Sequence, residues 1–156
     1  MTLTELRNYI ESVCLAHKEI KQFVIGSDYN QAEDTAIPYP SIFYEMPYYL
    51  QYNITPAQQV DSVQFAFNVF VESNTDKIEN DHDAISKSKE IGDAIVSYIM
   101  ANADDFRVIN VSAISVREYT DDSVAGMRYE WQIALPRTYC DQTTWETFFN
   151  PLQTIE

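Results

Sequence analysis

The chain has 156 residues, of which 46% are hydrophobic and 22% charged. These are globular proportions that exclude a disordered chain, a collagen-like chain and a coiled-coil rod, and the length fits one domain at roughly 100–200 residues each. The formal net charge is −14, from 24 acids against 10 bases, which argues against a surface that grips nucleic acid or an anionic membrane leaflet.

Aromatic residues make up 13% of the chain, with 11 Tyr and 8 Phe, while Gly occurs only 3 times. That exceeds what one core of this size needs and points to protein contacts. No apolar run approaches the ~20 residues that span a bilayer. The opening residues Met1-Thr2-Leu3-Thr4-Glu5 lack the basic and apolar regions of a secretory signal. Together with two distant cysteines, Cys14 and Cys140, this predicts a reduced, intracellular chain with no disulfide framework. The sequons at Asn53 and Asn110 carry no weight without export.

The first element is a helix. Thr2 and Glu5 have capping-box spacing. Leu6, Ile10, Val13, His17, Ile20 and Val24 then follow at three- and four-residue steps to form one apolar stripe, which Gly26 and Ser27 end or turn into a short extended segment. Residues 28–36 are polar and acidic, a loop. In Ile37-Pro38-Tyr39-Pro40-Ser41-Ile42-Phe43-Tyr44-Glu45-Met46-Pro47 a proline near each end brackets a short strand; proline confines it to a sheet edge or to pairing outside the proline positions. Residues 48–61 read as a Tyr-rich loop.

Ser62 to Glu72 alternates as a strand, with Val63, Phe65, Phe67, Val69 and Val71 on one face and Phe70 the exception on the other. Residues 73–83 are acidic and irregular. A second helix runs from about Asp83 to Ala103, with Ile85, Ser88, Gly92, Ile95 and Ile99 on one face. Its acids gather at the N-terminus, where the helix dipole favours them. Gly92 within the apolar face costs about 1 kcal/mol against Ala, which a close helix-to-sheet approach would justify.

Phe106 to Tyr119 and Val124 to Pro136 form the last two strands. The first puts Val108, Ser112, Ile114 and Val116 on one face. The second puts Met127, Tyr129, Trp131, Ile133 and Leu135 on one face and Gly126, Arg128, Glu130 and Gln132 on the other. At about 36–44 Å, against a typical five or six residues, this hairpin is expected to overhang its own core. The order α-β-β-α-β-β predicts an α+β layer fold, a mainly antiparallel sheet with both helices on one face. Residues 1–136 form that domain, and 137–156 form an aromatic C-terminal arm.

Little points to catalysis. There is no glycine-rich phosphate loop, CxxC or HExxH motif. Cys14 and His17 stand three residues apart on the first helix, where a core thiol beside a helix-face histidine is the simpler reading. Asp76, Glu79, Asp81, His82 and Asp83 offer oxygen and nitrogen ligands, but the Gly of a Ca²⁺ loop is missing. We therefore assign no catalytic residue, metal or cofactor. Residues 28–83 hold ten acids and one base, Lys77. Such a surface keeps a domain dispersed, or lets a polyanion pass without sticking. Tyr48, Tyr49 and Tyr52 suit either packing under a loop or an interface, and Trp145, Phe148 and Phe149 suit contact with a neighbour.

The succession of N-terminal helix, the strand Tyr39-Pro40-Ser41-Ile42-Phe43-Tyr44-Glu45-Met46-Pro47, the strand at Phe65–Val71, the helix at Ala84–Asn102 and the closing strand Tyr129-Glu130-Trp131-Gln132-Ile133-Ala134-Leu135-Pro136 resembles the tail-terminator and neck proteins of tailed bacteriophages. It is also compatible with ring proteins of crAss-like phages. The resemblance covers roughly residues 3–136 and rests on element order, without a diagnostic motif. It implies a virion structural protein, not an enzyme, that forms a six- or twelvefold homo-oligomeric ring in the neck or tail, between portal, neck or tail neighbours, through which DNA passes. The implied parts are a subunit-to-subunit sheet edge, a loop toward the lumen and a terminal arm on the next ring. The acidic Asp76, Glu79, Asp81 and Asp83 are the expected lumen residues. The alternative is a monomeric adaptor that binds a protein through its sheet edge or Tyr-rich loop.

Overall fold

The computed structural model describes residues 1–26, 37–46, 49–55, 58–73, 78–118 and 124–136. The elements run α1 (Leu3–Ala16), β1 (Gln22–Ile25), β2 (Ser41–Tyr44), β3 (Tyr49–Thr55), β4 (Gln58–Glu72), α2 (Ile78–Asn102), β5 (Arg107–Glu118) and β6 (Val124–Pro136). The α+β class is as expected. The expected order is corrected by two additional strands, β1 and β3. The sheet is mixed, in the order β1-β2-β4-β6-β5, with β3 also on β4. β1 pairs in parallel with β2, and every other pairing is antiparallel.

α1 begins with the expected capping box: the Glu5 N–H donates to the Thr2 hydroxyl at 3.2 Å, and the Thr2 N–H donates to the Glu5 carboxylate at 2.6 Å. It ends at Ala16, earlier than the apolar stripe predicts, with His17 in an extended cap conformation. Ile20 is buried beyond the helix end, and Val24 belongs to β1, so the stripe continues in sequence but not as helix. Gly26, at φ 103, closes β1 in a conformation that favours glycine.

β2 pairs through Ser41–Tyr44 with β1 on one side and β4 on the other. It is interior, and Pro40 lies just outside the pairing, the second of the two arrangements that proline permits. The supposed Tyr-rich loop is β3 with the start of β4, paired from Tyr49↔Gln64 to Thr55↔Gln58. Because β4 starts at Gln58, it pairs with all 13 residues of β6. The hairpin of β5 and β6 therefore does not overhang the sheet as expected.

One sheet face carries both helices. Leu6, Ile10 and Val13 of α1 and Ile91, Ile95 and Ile99 of α2 share a core with Val63, Phe65, Phe67, Val69, Tyr129, Trp131 and Ile133. Several of the aromatic residues sit in this core. Tyr44, Phe65 and Trp131 stack in sequence at centroid distances of 5.6 and 5.9 Å, and Phe67 lies 5.5 Å from Tyr129. Such ring pairs add to simple area burial. Gly92 answers the expected close approach, since a Cβ there would collide with the Tyr129 ring. The Tyr129 hydroxyl caps the contact, 3.2 Å from the Lys89 carbonyl and 3.1 Å from the Asp93 carboxylate.

Among the described residues no helix covers the other face. At one end Phe43, Phe70 and Val124 form a second small core with Val24, Ile37, Tyr39 and Val116, which explains why Phe70 breaks the alternation of β4. A bulge between Val108 and Asn110 corrects the expected faces of β5. Val108 joins Val111 on the helix side, while Ile114 and Val116 pair with Arg128 and Gly126 on the open side.

Candidate interaction surfaces

Three strands, β1, β3 and β5, lie at sheet edges among the described residues, and the two longer ones are unusual. Among the described residues β5 pairs with β6 only, and β3 with β4 only. The stretch from Val108 to Val116 has no charge and no proline, and β3 (Tyr49-Leu50-Gln51-Tyr52-Asn53-Ile54-Thr55) has neither charge, proline nor glycine. Sheet edges are ordinarily blunted by such residues, or by bulges; here only the bulge at Ile109 does so. Ile114 is 61% exposed on β5, and Tyr49 and Tyr52 are 60% and 62% exposed on β3. By register Tyr49 lies on the open face beside Gln64, whereas Tyr52 pairs with Asp61 on the helix side. Two of the predicted contact tyrosines are thus exposed on one edge strand but on opposite faces. Tyr48, Trp145, Phe148 and Phe149 lie outside the described residues.

Within the acidic segment Asp83 is exposed and Asp81 is buried. Asp76 lies outside the described residues, and Glu79 falls in α2, as does the exposed Asp83. Asp81 corrects the expectation of a lumen-facing side chain. It is buried, pairs with Arg117 at 2.6 Å and accepts the Ser73 hydroxyl proton. It ties the start of α2 to β5. The sequence could not show this, because Arg117 is distant in the chain.

Cys14 is fully buried, and burial pushes its thiol up to about 12. His17 accepts the Glu19 N–H on Nδ1. Among the described residues no three His, Cys, Asp or Glu side chains converge, and no helix is long and apolar enough to cross a membrane. A groove of about 760 Å³ lies between α1 and α2, lined by Tyr9, Val13, Ala16, Ile95 and Tyr98.

A hollow of about 290 Å³ opens on the helix-free face. Its wall is a network that sequence reading missed. Arg128 donates from Nε and Nη2 to the two Glu45 oxygens at 2.7 and 2.8 Å, Asn68 donates to Glu45 at 2.7 Å, and Arg128 Nη1 donates to Glu130. These bonds hold the Glu45 carboxyl below the usual carboxylate range, chiefly through Arg128, and raise the Arg128 guanidinium. The alternation of β6 placed Arg128 and Glu130 together on the face away from the helices, but nothing in the sequence pointed to Glu45 as their partner. Compared with known proteins, the chain matches no family model and no curated relative.

Proposed function

We propose that this chain is the subunit of a homo-oligomeric ring, a virion structural protein of the neck or tail of a tailed phage. The observation that carries the reading is a pair of edge strands on opposite sides of one sheet, β3 and β5, in which Tyr49–Thr55 and Val108–Val116 hold no charge. β4 and β5 run one way and β3 the other. Copies placed head to tail therefore bring β5 of one against β3 of the next in antiparallel sense, the pairing that edge N–H and C=O groups favour. A head-to-tail interface generates a ring when its rotation closes. The acidic charge of residues 28–83 suits a passage that phosphates do not adhere to.

The test is mass by light scattering with electron microscopy, on the isolated protein and in a particle. A cyclic oligomer is expected, and Ile114→Lys on β5 should dissociate it while the fold is retained. A strict monomer that joins no neck or tail particle would overturn the proposal. The exposed Tyr49 and Tyr52 of β3 favour the second reading, a monomeric adaptor that captures a partner's strand. That reading requires a monomer whose single partner is lost in the Tyr49→Ala, Tyr52→Ala double variant.

A further inference from the structure

The open face carries a row of side chains in register across four strands: Tyr49 on β3, Gln64 on β4, Gln132 on β6 and Asn110 on β5. At the ordinary strand spacing it spans about 14 Å. Tyr49, Gln64 and Asn110 are exposed, and Gln132 is half-buried and held by donating from Nε2 to the Ser62 hydroxyl at 3.2 Å. Ser112 and Glu130 pair with each other in the next row, and all of these but Ser62 line the 290 Å³ hollow together with Glu45 and Arg128.

The composition of this strip selects its ligand. Each side-chain amide offers two N–H donors and a carbonyl acceptor without charge, the complement of adjacent hydroxyls that each donate and accept. Tyr49 adds a flat apolar face with a polar tip, the complement of a sugar ring's C–H face. The charged groups are already engaged: Arg128 is spent on Glu45 and Glu130, and Glu45 also accepts from Asn68. Among the described residues that line the hollow this leaves no free cation for phosphate, sulfate or a carboxylate sugar, and the net charge of −14 repels them. Gln132, held on Ser62, loses little freedom when a ligand arrives.

We propose that the Tyr49–Gln64–Gln132–Asn110 strip is a binding site for a neutral oligosaccharide, with Tyr49 stacking on one sugar ring and the amides bridging hydroxyls of that ring and its neighbours. All four residues belong to one chain, so the site does not require that copies form a ring.

The test uses the full chain with maltohexaose, cellohexaose, mannohexaose and chitohexaose, followed by amide chemical shifts, with a sialylated and a sulfated glycan as controls. At least one neutral probe is expected to bind and to shift Gln64, Gln132 and Asn110. Tyr49→Ala should weaken that binding about tenfold or more, since such stacking contacts carry much of the energy of a small site. Tyr49→Phe should retain it, Gln132→Ala should weaken it severalfold, and Tyr98→Ala on the helical side should leave it unchanged. Tyr49 is exposed, so its variants fold, as a thermal melt would check. Failure of all four probes at millimolar concentration overturns the proposal, as do shifts that map away from this strip, binding that Tyr49→Ala leaves intact, or binding confined to the charged controls.

Discussion

At Gly92 the backbone of α2 approaches the Tyr129 ring so closely that a methyl group there would collide with it. Alanine normally gains about 1 kcal/mol over glycine inside a helix, but overpacking typically costs about 1–3 kcal/mol. Gly92→Ala is therefore expected to lower stability by up to about 2 kcal/mol in urea denaturation; a stabilised variant would contradict the contact. The Tyr9 hydroxyl presents the opposite case. It is buried with no hydrogen-bond partner among the described residues, so Tyr9→Phe removes a desolvated group that returns nothing. It should be neutral or stabilising, within about 1 kcal/mol, whereas a large loss would reveal a partner. Cys14, with its thiol pushed up to about 12 by burial, is expected to resist thiol reagents in a Cys140→Ser background until the chain is denatured, because the thiolate is the reactive form.

Among the elements, β2 is the shortest interior strand, and its end is secured by side chains. Glu45, just past Tyr44, accepts from Arg128 on β6 and Asn68 on β4. Its carboxyl is held below its ordinary range, so the folded state binds this proton less readily than the unfolded chain. The resulting stabilisation is present above the ordinary carboxylate range and is lost as the pH falls through it toward the folded value. Glu45→Gln should therefore be less stable than the parent near neutral pH and should lose less on acidification, the two curves converging in acid. Parallel curves in pH-dependent denaturation would contradict this role. The edge strands β3 and β5 carry no comparable clamp on their outer sides among the described residues, which is why the assembly prediction rests on them.

For the whole molecule, a net charge of −14 on 156 residues means that every copy repels the next. Added salt screens that repulsion, so assembly through the uncharged edges is expected to strengthen from low to high ionic strength. Light scattering across a salt series checks this; dissociation on adding salt would indicate that ion pairs hold the copies together, not backbone pairing and apolar contact.

The sequence alone determined the α+β class, the core faces of β4 and β6, the capping box of α1 and the reason for Gly92. Each follows from a period or spacing that burial on one side imposes locally. It did not reveal β1, because Ile20 and Val24 happen to continue the helical period after His17 has ended α1. It did not reveal β3 either: Tyr49, Leu50 and Tyr52 are all substantially exposed, so no buried face enforces alternation. Only the tertiary structure decided that the aromatics stack over the sheet, that Asp81 is buried against Arg117, and that Tyr49, Gln64, Gln132 and Asn110 share one row. Those relations depend on strand register and on partners far apart in the chain, which are fixed only when one sheet face is sealed beneath both helices.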